Sequence, residues 1–206
     1  MRRTTAILTS FAAVLCISGT ALAGASDSVV VKATFDSDLG GWTSNTPNEV
    51  VWNASGGNPG GEALFTDGSG NITVLLAPSA FLSPAINYTK LDGKAYISFQ
   101  HLMVKESGVT GTSPYVIQIS GPGGTATFTG AVATVLPKKN KWVTVAVPLL
   151  ETSWTLNSGD WADLMANVTS MTINMELATN SGANPFDQEA IDNIEIVSHP
   201  KGFSIQ

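Results

Sequence analysis

Arginine is missing from this chain after its third residue. Arg2 and Arg3 are the only two, and beyond them 8 Lys face 16 Asp plus Glu, a net charge of −8. Phosphate backbones and anionic surfaces draw their partners through Lys and Arg, so nucleic acid is not an expected partner. Cysteine is scarcer still. Cys16, in an apolar stretch near the N-terminus, is the single one, which leaves the remainder without a disulfide, a thiol nucleophile or a thiolate metal site. There are two histidines, His101 in a strand-like run and His199 near the C-terminus. A nucleophilic serine needs a base and an orienting acid, and no GxSxG elbow supplies that frame. The glycine-rich run Gly56–Gly61 lacks the Lys-Ser/Thr and following helix of a phosphate loop, and reads as a tight inter-strand turn needing positive φ. No apolar run reaches the roughly 20 residues of a membrane span.

The beginning of the chain reads as a unit of its own. Arg2-Arg3, an apolar run from Ala6 to Ile17, and Ala21-Leu22-Ala23 before Gly24 have the order of a secretory signal peptide over residues 1–23. Export to an extracellular or periplasmic space follows, and the leader's length favours a bacterial host. Residues 24–29 read as a short linker, 30–198 as one domain and 199–206 as a tail. A domain of that size buries roughly 70% of its unfolded surface, enough to hold together without crosslinks.

Within the domain, short β-branched or aromatic runs alternate with Gly, Pro, Asn and Asp clusters. Strands are expected near Val30–Phe35, Val50–Asn53, Glu62–Thr66, Ile72–Leu76, Ala95–Val104, Tyr115–Ser120, Ala126–Thr129, Trp142–Val147, Ser170–Leu177 and Glu189–Val197. One short helix is expected over Ser158–Asn167, with Ser158 as N-cap. Some ten strands without intervening helices specify an all-β sandwich rather than a parallel α/β sheet.

Period-2 alternation assigns faces to three strands. Ile97, Phe99 and Met103 oppose Tyr96, Ser98 and Gln100. Ile117 and Ile119 oppose Val116 and Gln118. Met171, Ile173, Met175 and Leu177 oppose Thr172, Asn174 and Glu176. The apolar faces are core. If the three strands share a sheet, Gln100, Gln118, Asn174 and Glu176 form one polar platform; an ordinary solvated sheet face carries the same pattern.

Further features have a recognisable order. Phe35-Asp36-Ser37-Asp38-Leu39-Gly40-Gly41-Trp42 opens the domain and Val51-Trp52-Asn53 follows. Gly56-Gly57-Asn58-Pro59-Gly60-Gly61 leads to Ala63-Leu64, then come Ala77-Pro78-Ser79-Ala80-Phe81-Leu82 and Lys141-Trp142, and Ala190-Ile191-Asp192-Asn193-Ile194 closes it. From about Val30 to Ser198 this resembles the laminin IV type A (laminin B) domain and, more broadly, the galactose-binding-like jelly rolls that include many carbohydrate-binding modules. The cysteine-rich modules flanking such domains in laminins are not in this chain. The resemblance implies a jelly-roll β-sandwich of two antiparallel sheets. It also implies a structural Ca²⁺ held by an acid of the opening strand and an Asp of the closing one, here Asp36 and Asp192. Turn capping by the same two side chains is the alternative. Asp38 and Asp67 are weaker metal candidates, and Asp67-Gly68 reads as turn chemistry.

Among the five tryptophans, Trp42, Trp52 and Trp142 read as core. Trp154 and Trp161, in a loop and a short helix, are candidates for stacking against sugar rings, with hydrophobic plugs as the alternative; so are Tyr88, Tyr96 and Tyr115. N-x-S/T sequons stand at Asn53, Asn71, Asn87 and Asn167. The expected function is a secreted, non-catalytic recognition module for carbohydrate or a surface glycoconjugate. The alternatives are an extracellular adhesion domain with a protein partner and, below that, a small hydrolase using a carboxylate pair.

Overall fold

A computed structural model describes residues 27–68, 72–105, 109–132, 140–180 and 187–199. The leader, residues 24–26 of the linker and most of the tail lie outside the described residues, as do Asn71 and Cys16.

Two six-stranded antiparallel sheets face each other. The first runs in the order β10 (Val143–Pro148), β6 (Ala95–Lys105), β14 (Gln188–Ser198), β4 (Gly60–Thr66), β3 (Val50–Gly57). Strand β1 (Ser28–Ala33) pairs with the second half of β14, while β4 pairs with its first half. The second sheet runs β11 (Thr155–Gly159), β9 (Gly124–Val132), β8 (Pro114–Gly121), β12 (Ser170–Asn174), β5 (Val74–Leu76), β2 (Thr43–Ser44). A separate ribbon joins β7 (Val109–Thr112) to β13 (Ala178–Asn180). This is the expected all-β jelly-roll sandwich.

The interior follows the alternation. Ile97 and Phe99 of β6 share one buried cluster with Ile117 and Ile119 of β8 and Met171 and Ile173 of β12, and Met103 of β6 is fully buried as well. Burying a side chain of this size contributes about 1.5–3 kcal/mol, so the inward faces carry the fold. Trp42 packs edge-on against Phe81 at 5.0 Å and is core as expected. Trp52 and Trp142 are not: Trp52 lies on the edge strand β3 and is 39% exposed, and Trp142, just before β10, is half-buried.

Among the described residues there are two α-helices rather than one. The short turn of α1 (Tyr88–Leu91) carries too little sequence to show a period, and Asn87 caps it by accepting from the Lys90 N–H. Helix α2 (Trp161–Ala166) starts three residues after the expected cap. Asp160 caps it, accepting from Ala162 and Asp163 N–H, whereas Ser158 belongs to β11. A carboxylate satisfies two first-turn donors at once and complements the helix dipole, which favours Asp over Ser here.

In β14 the inward parity switches between Ile191 and Ile194, both buried. A bulge between Asp192 and Glu195 absorbs the extra residue. Asn193 takes φ 51°, a left-handed conformation that Asn tolerates.

Candidate functional site

Of the four polar residues expected on one platform, Gln100 lies on one outer face of the sandwich, Gln118 and Asn174 on the opposite one, and Glu176 on neither. Gln100 belongs to β6 in the first sheet, Gln118 and Asn174 to β8 and β12 in the second. Pairing between distant strands decides this, and a period-2 pattern carries no information about which sheet a strand joins. Glu176 lies just past β12. Its carboxyl faces Asp67, Asp187 and the Thr73 N–H rather than the open face, and burial followed by the Asp67 and Asp187 charges raises its pKa to about 7.

The outer face of the second sheet is neutral and hydroxyl-rich. Thr43, Leu76, Thr172, Gln118, Thr127 and Thr155 stand in direct register across all six strands. Ser170, Ser120 and Thr125 form a flanking row, and Asn174 is paired with Val74 beside it. Thr127 donates to Asn157 Oδ1 at 2.7 Å and accepts from Gln118 Nε2 at 3.4 Å. With strands about 4.8 Å apart, the long row spans roughly 24 Å. These rows include neither a charged nor an aromatic side chain.

Trp154 and Trp161 do not flank that face. They are 8% and 4% exposed, with ring centroids 6.1 Å apart, and Trp154 also packs against Phe128 at 5.8 Å. Their indole N–H groups donate to Pro148 O at 2.7 Å and to Asp92 Oδ1 at 3.0 Å. They are plugs, and the expectation that they stack on a ligand is corrected. Tyr88 and Tyr115 are buried as well. Tyr96, partly exposed on the first sheet, donates to Asp27 Oδ2.

Asp36 and Asp192 come together at the glycine-rich loop between β3 and β4. Phe35 adopts φ 53°, and its carbonyl accepts from Trp52 Nε1 at 2.7 Å. Asp36 Oδ2 accepts from Thr34 Oγ1 at 2.6 Å. Asp192 Oδ1 accepts from the Asn193 N–H at 2.6 Å, and Oδ2 accepts from the Asn58 N–H at 2.7 Å. Gly56 and Gly60 take φ 124° and 93°, and side chains there would run into Glu62 and Asp36. Burial raises the pKa of Asp192; the Asn58 and Asn193 N–H groups lower it, and the Asp36 charge raises it further.

Glu62 joins this group without having been anticipated. It is 3% exposed; Oε1 accepts from Asn53 Nδ2 at 2.7 Å, while Oε2 is buried with no donor. Burial raises its pKa, and the Asp192 charge adds to the shift. The signal available in the sequence was Glu62 directly after the glycines. An unpartnered buried carboxylate oxygen beside two more acids fits a hard cation electrostatically. Among the described residues no set of three or more His, Cys, Asp or Glu groups is disposed to hold a metal, so loop carbonyls would have to complete its shell. Asp38 instead accepts from the Gly40 N–H at 2.6 Å as a turn residue.

A second buried polar group centres on His101, whose partners were not anticipated. His101 Nε2 lies 3.0 Å from Glu189 Oε2, and Nδ1 lies 3.0 Å from the Tyr115 hydroxyl. Glu189 also accepts from the Leu177 N–H at 3.0 Å. His101 is a hydrogen-bonded structural residue. The sequence signal was parity: His101 shares the face of Phe99, and Glu189 that of Ile191.

No family model matches the chain, and no curated protein matches it. Solved structures do. The L4b domain of human laminin alpha-2 covers 85% of this chain and 98% of itself at 12% identity, with a TM-score of 0.56. The CBM22-1 xylan-binding domain from Paenibacillus barcinonensis Xyn10C covers 86% and 99% at 14% identity, with a TM-score of 0.50. At these identities the likeness is one of fold, and it agrees with the resemblance read from the sequence: a jelly roll like that of the laminin L4b domain and the xylan-binding domain.

Proposed function

We propose that the protein is an exported, non-catalytic module that binds a neutral polysaccharide across the outer face of its second sheet. The observation that supports this reading is the uncharged row from Thr43 to Thr155, six strands wide and rich in hydroxyl and amide groups. Hydroxyl and amide side chains both donate and accept, which matches the repeated hydroxyls of a glycan. The xylan-binding domain of the same fold lends support by analogy of architecture.

Affinity electrophoresis against xylan, β-glucan and polygalacturonate tests it. Retardation by a neutral polymer is expected, with little dependence on salt. Gln118→Ala and Thr172→Val, each removing one face hydrogen bond of about 0.5–1.5 kcal/mol, should each weaken it about 2- to 10-fold. Mobility unchanged by every neutral polymer would instead favour the protein-partner reading suggested by the laminin fold.

The same proposal places a structural Ca²⁺ between the opening and closing strands, with Asp36 and Asp192 as its carboxylates and Glu62 beside them. It would neutralise the negative charge packed around the glycine loop. Removing it with EDTA should lower the melting temperature. At 100-fold saturation the site adds about 2.7 kcal/mol, and about 2–4 °C accompanies each kcal/mol in a domain of this size. A melting curve insensitive to chelator and to added Ca²⁺ counts against the metal and leaves Asp36 and Asp192 as turn caps.

A further inference from the structure

The outer face of the first sheet carries a hollow. The loop between β3 and β4 lies over one end of it and, with β1, β6, β10 and β14, encloses a depression of about 270 Å³. Its floor carries Ser98 and Gln100 of β6, Thr144 of β10 and Glu195 of β14, and Lys32 and the Asn58–Pro59 segment also line it.

The floor is oriented in advance. Gln100 Oε1 accepts from Asn58 Nδ2 at 3.1 Å and from Asn193 Nδ2 at 2.9 Å. Asn193 Nδ2 also donates to the Asn58 carbonyl at 2.7 Å. With its oxygen held twice, the Gln100 amide keeps a fixed plane and presents its Nε2 hydrogens as donors. Ser98 and Thr144 add hydroxyls that donate or accept. Lys32 Nζ and Glu195 Oε1 pair at 2.9 Å, so the hollow's two charges cancel. A charged ligand would have to compete with that pair, whereas an uncharged one need not. Pro59 supplies an apolar flank for C–H groups.

We propose that this hollow is a second binding site, taking a single neutral polyhydroxylated ring such as a terminal or free monosaccharide. It is independent of the polysaccharide face, which lies on the other sheet and shares no residue with it. The fixed amide lowers the ordering cost that binding would otherwise carry.

The test is an amide NMR titration of the exported chain with methyl β-xyloside and methyl β-glucoside. Saturable shifts are expected at Ser98, Gln100, Thr144, Asn193 and the Gln100 side-chain amide, with Gln118 and Thr172 unmoved. Gln100→Ala should weaken the interaction about 2- to 10-fold. Because that change also loosens the Asn58 contacts, Thr144→Trp provides a second variant. It places bulk over the hollow from an exposed position, and should abolish the shifts without altering the melting temperature or xylan retardation. Shifts confined to the Gln118 face, shifts that survive Thr144→Trp, or none with either glycoside would overturn the second site. Polysaccharide retardation in the same samples reports separately on the other face.

Discussion

Trp161→Ala should lower the stability of the domain by about 3–5 kcal/mol, the range for deleting a large buried aromatic. The indole sits at the first position of α2, 4% exposed, between Trp154 and the body of the domain. Removing it leaves a cavity that a helix pinned by the Asp160 cap cannot close. It also strips Asp92 Oδ1 of its indole donor. The melting temperature should fall by about 2–4 °C per kcal/mol lost. Polysaccharide retardation by the folded fraction should remain, because Trp161 is not among the rows of the second sheet's outer face. A Trp161→Ala protein that melts with the parent but no longer binds would reverse both conclusions, making the indole a contact and not a plug.

Trp161 also illustrates what local sequence carries and what it leaves out. Its setting, a short helix after a polar loop, says little about burial, since the surfaces covering it come from Trp154 and Asp92, the latter 69 residues away. The alternation in β6, β8 and β12 is different in kind: each strand's own covalent geometry sends Ile97, Phe99, Ile117, Ile173 and their neighbours one way, so core faces were legible without knowing the partners. Which strands become neighbours was not. Gln100 and Gln118 stand on similar strands, yet Asp192 is the register partner of one and Thr172 of the other. The sequence therefore revealed both polar faces but joined them into one. Asp36 and Asp192 were legible only through resemblance to a family. Their contact through the Asn58 loop spans 134 residues between Asn58 and Asp192, and no local pattern encodes it. Glu62 was missed for a related reason. It alternates correctly as an outward residue of β4, and becomes buried only because Asn53 and the glycine loop fold over it.

The second large effect belongs to the polar pin through the core. Glu189→Ala should destabilise the protein by about 3–5 kcal/mol, although it removes a charged side chain rather than an apolar one. Glu189 is fully buried and serves two donors at once, the His101 ring N–H at 3.0 Å and the Leu177 backbone N–H at 3.0 Å. A carboxylate only accepts, so Nε2 carries the hydrogen towards it and the Tyr115 hydroxyl can donate to Nδ1. His101 and Glu189 come from neighbouring strands of the first sheet, Tyr115 from the second, so the chain of bonds crosses the sandwich. Truncating Glu189 leaves both donors in a dry interior, each costing about 1–3 kcal/mol. Tyr115→Phe, which removes the hydroxyl facing Nδ1, should cost less, about 1–3 kcal/mol. Urea denaturation of both single variants and the double variant would give a coupling energy of about 0.5–3 kcal/mol if the three groups act as one network. Additive losses would mean that Glu189 and Tyr115 act on His101 separately. A Glu189→Ala protein as stable as the parent would mean that water or another acceptor serves the His101 and Leu177 donors once the carboxylate is gone, and that the two sheets are held together by apolar packing alone.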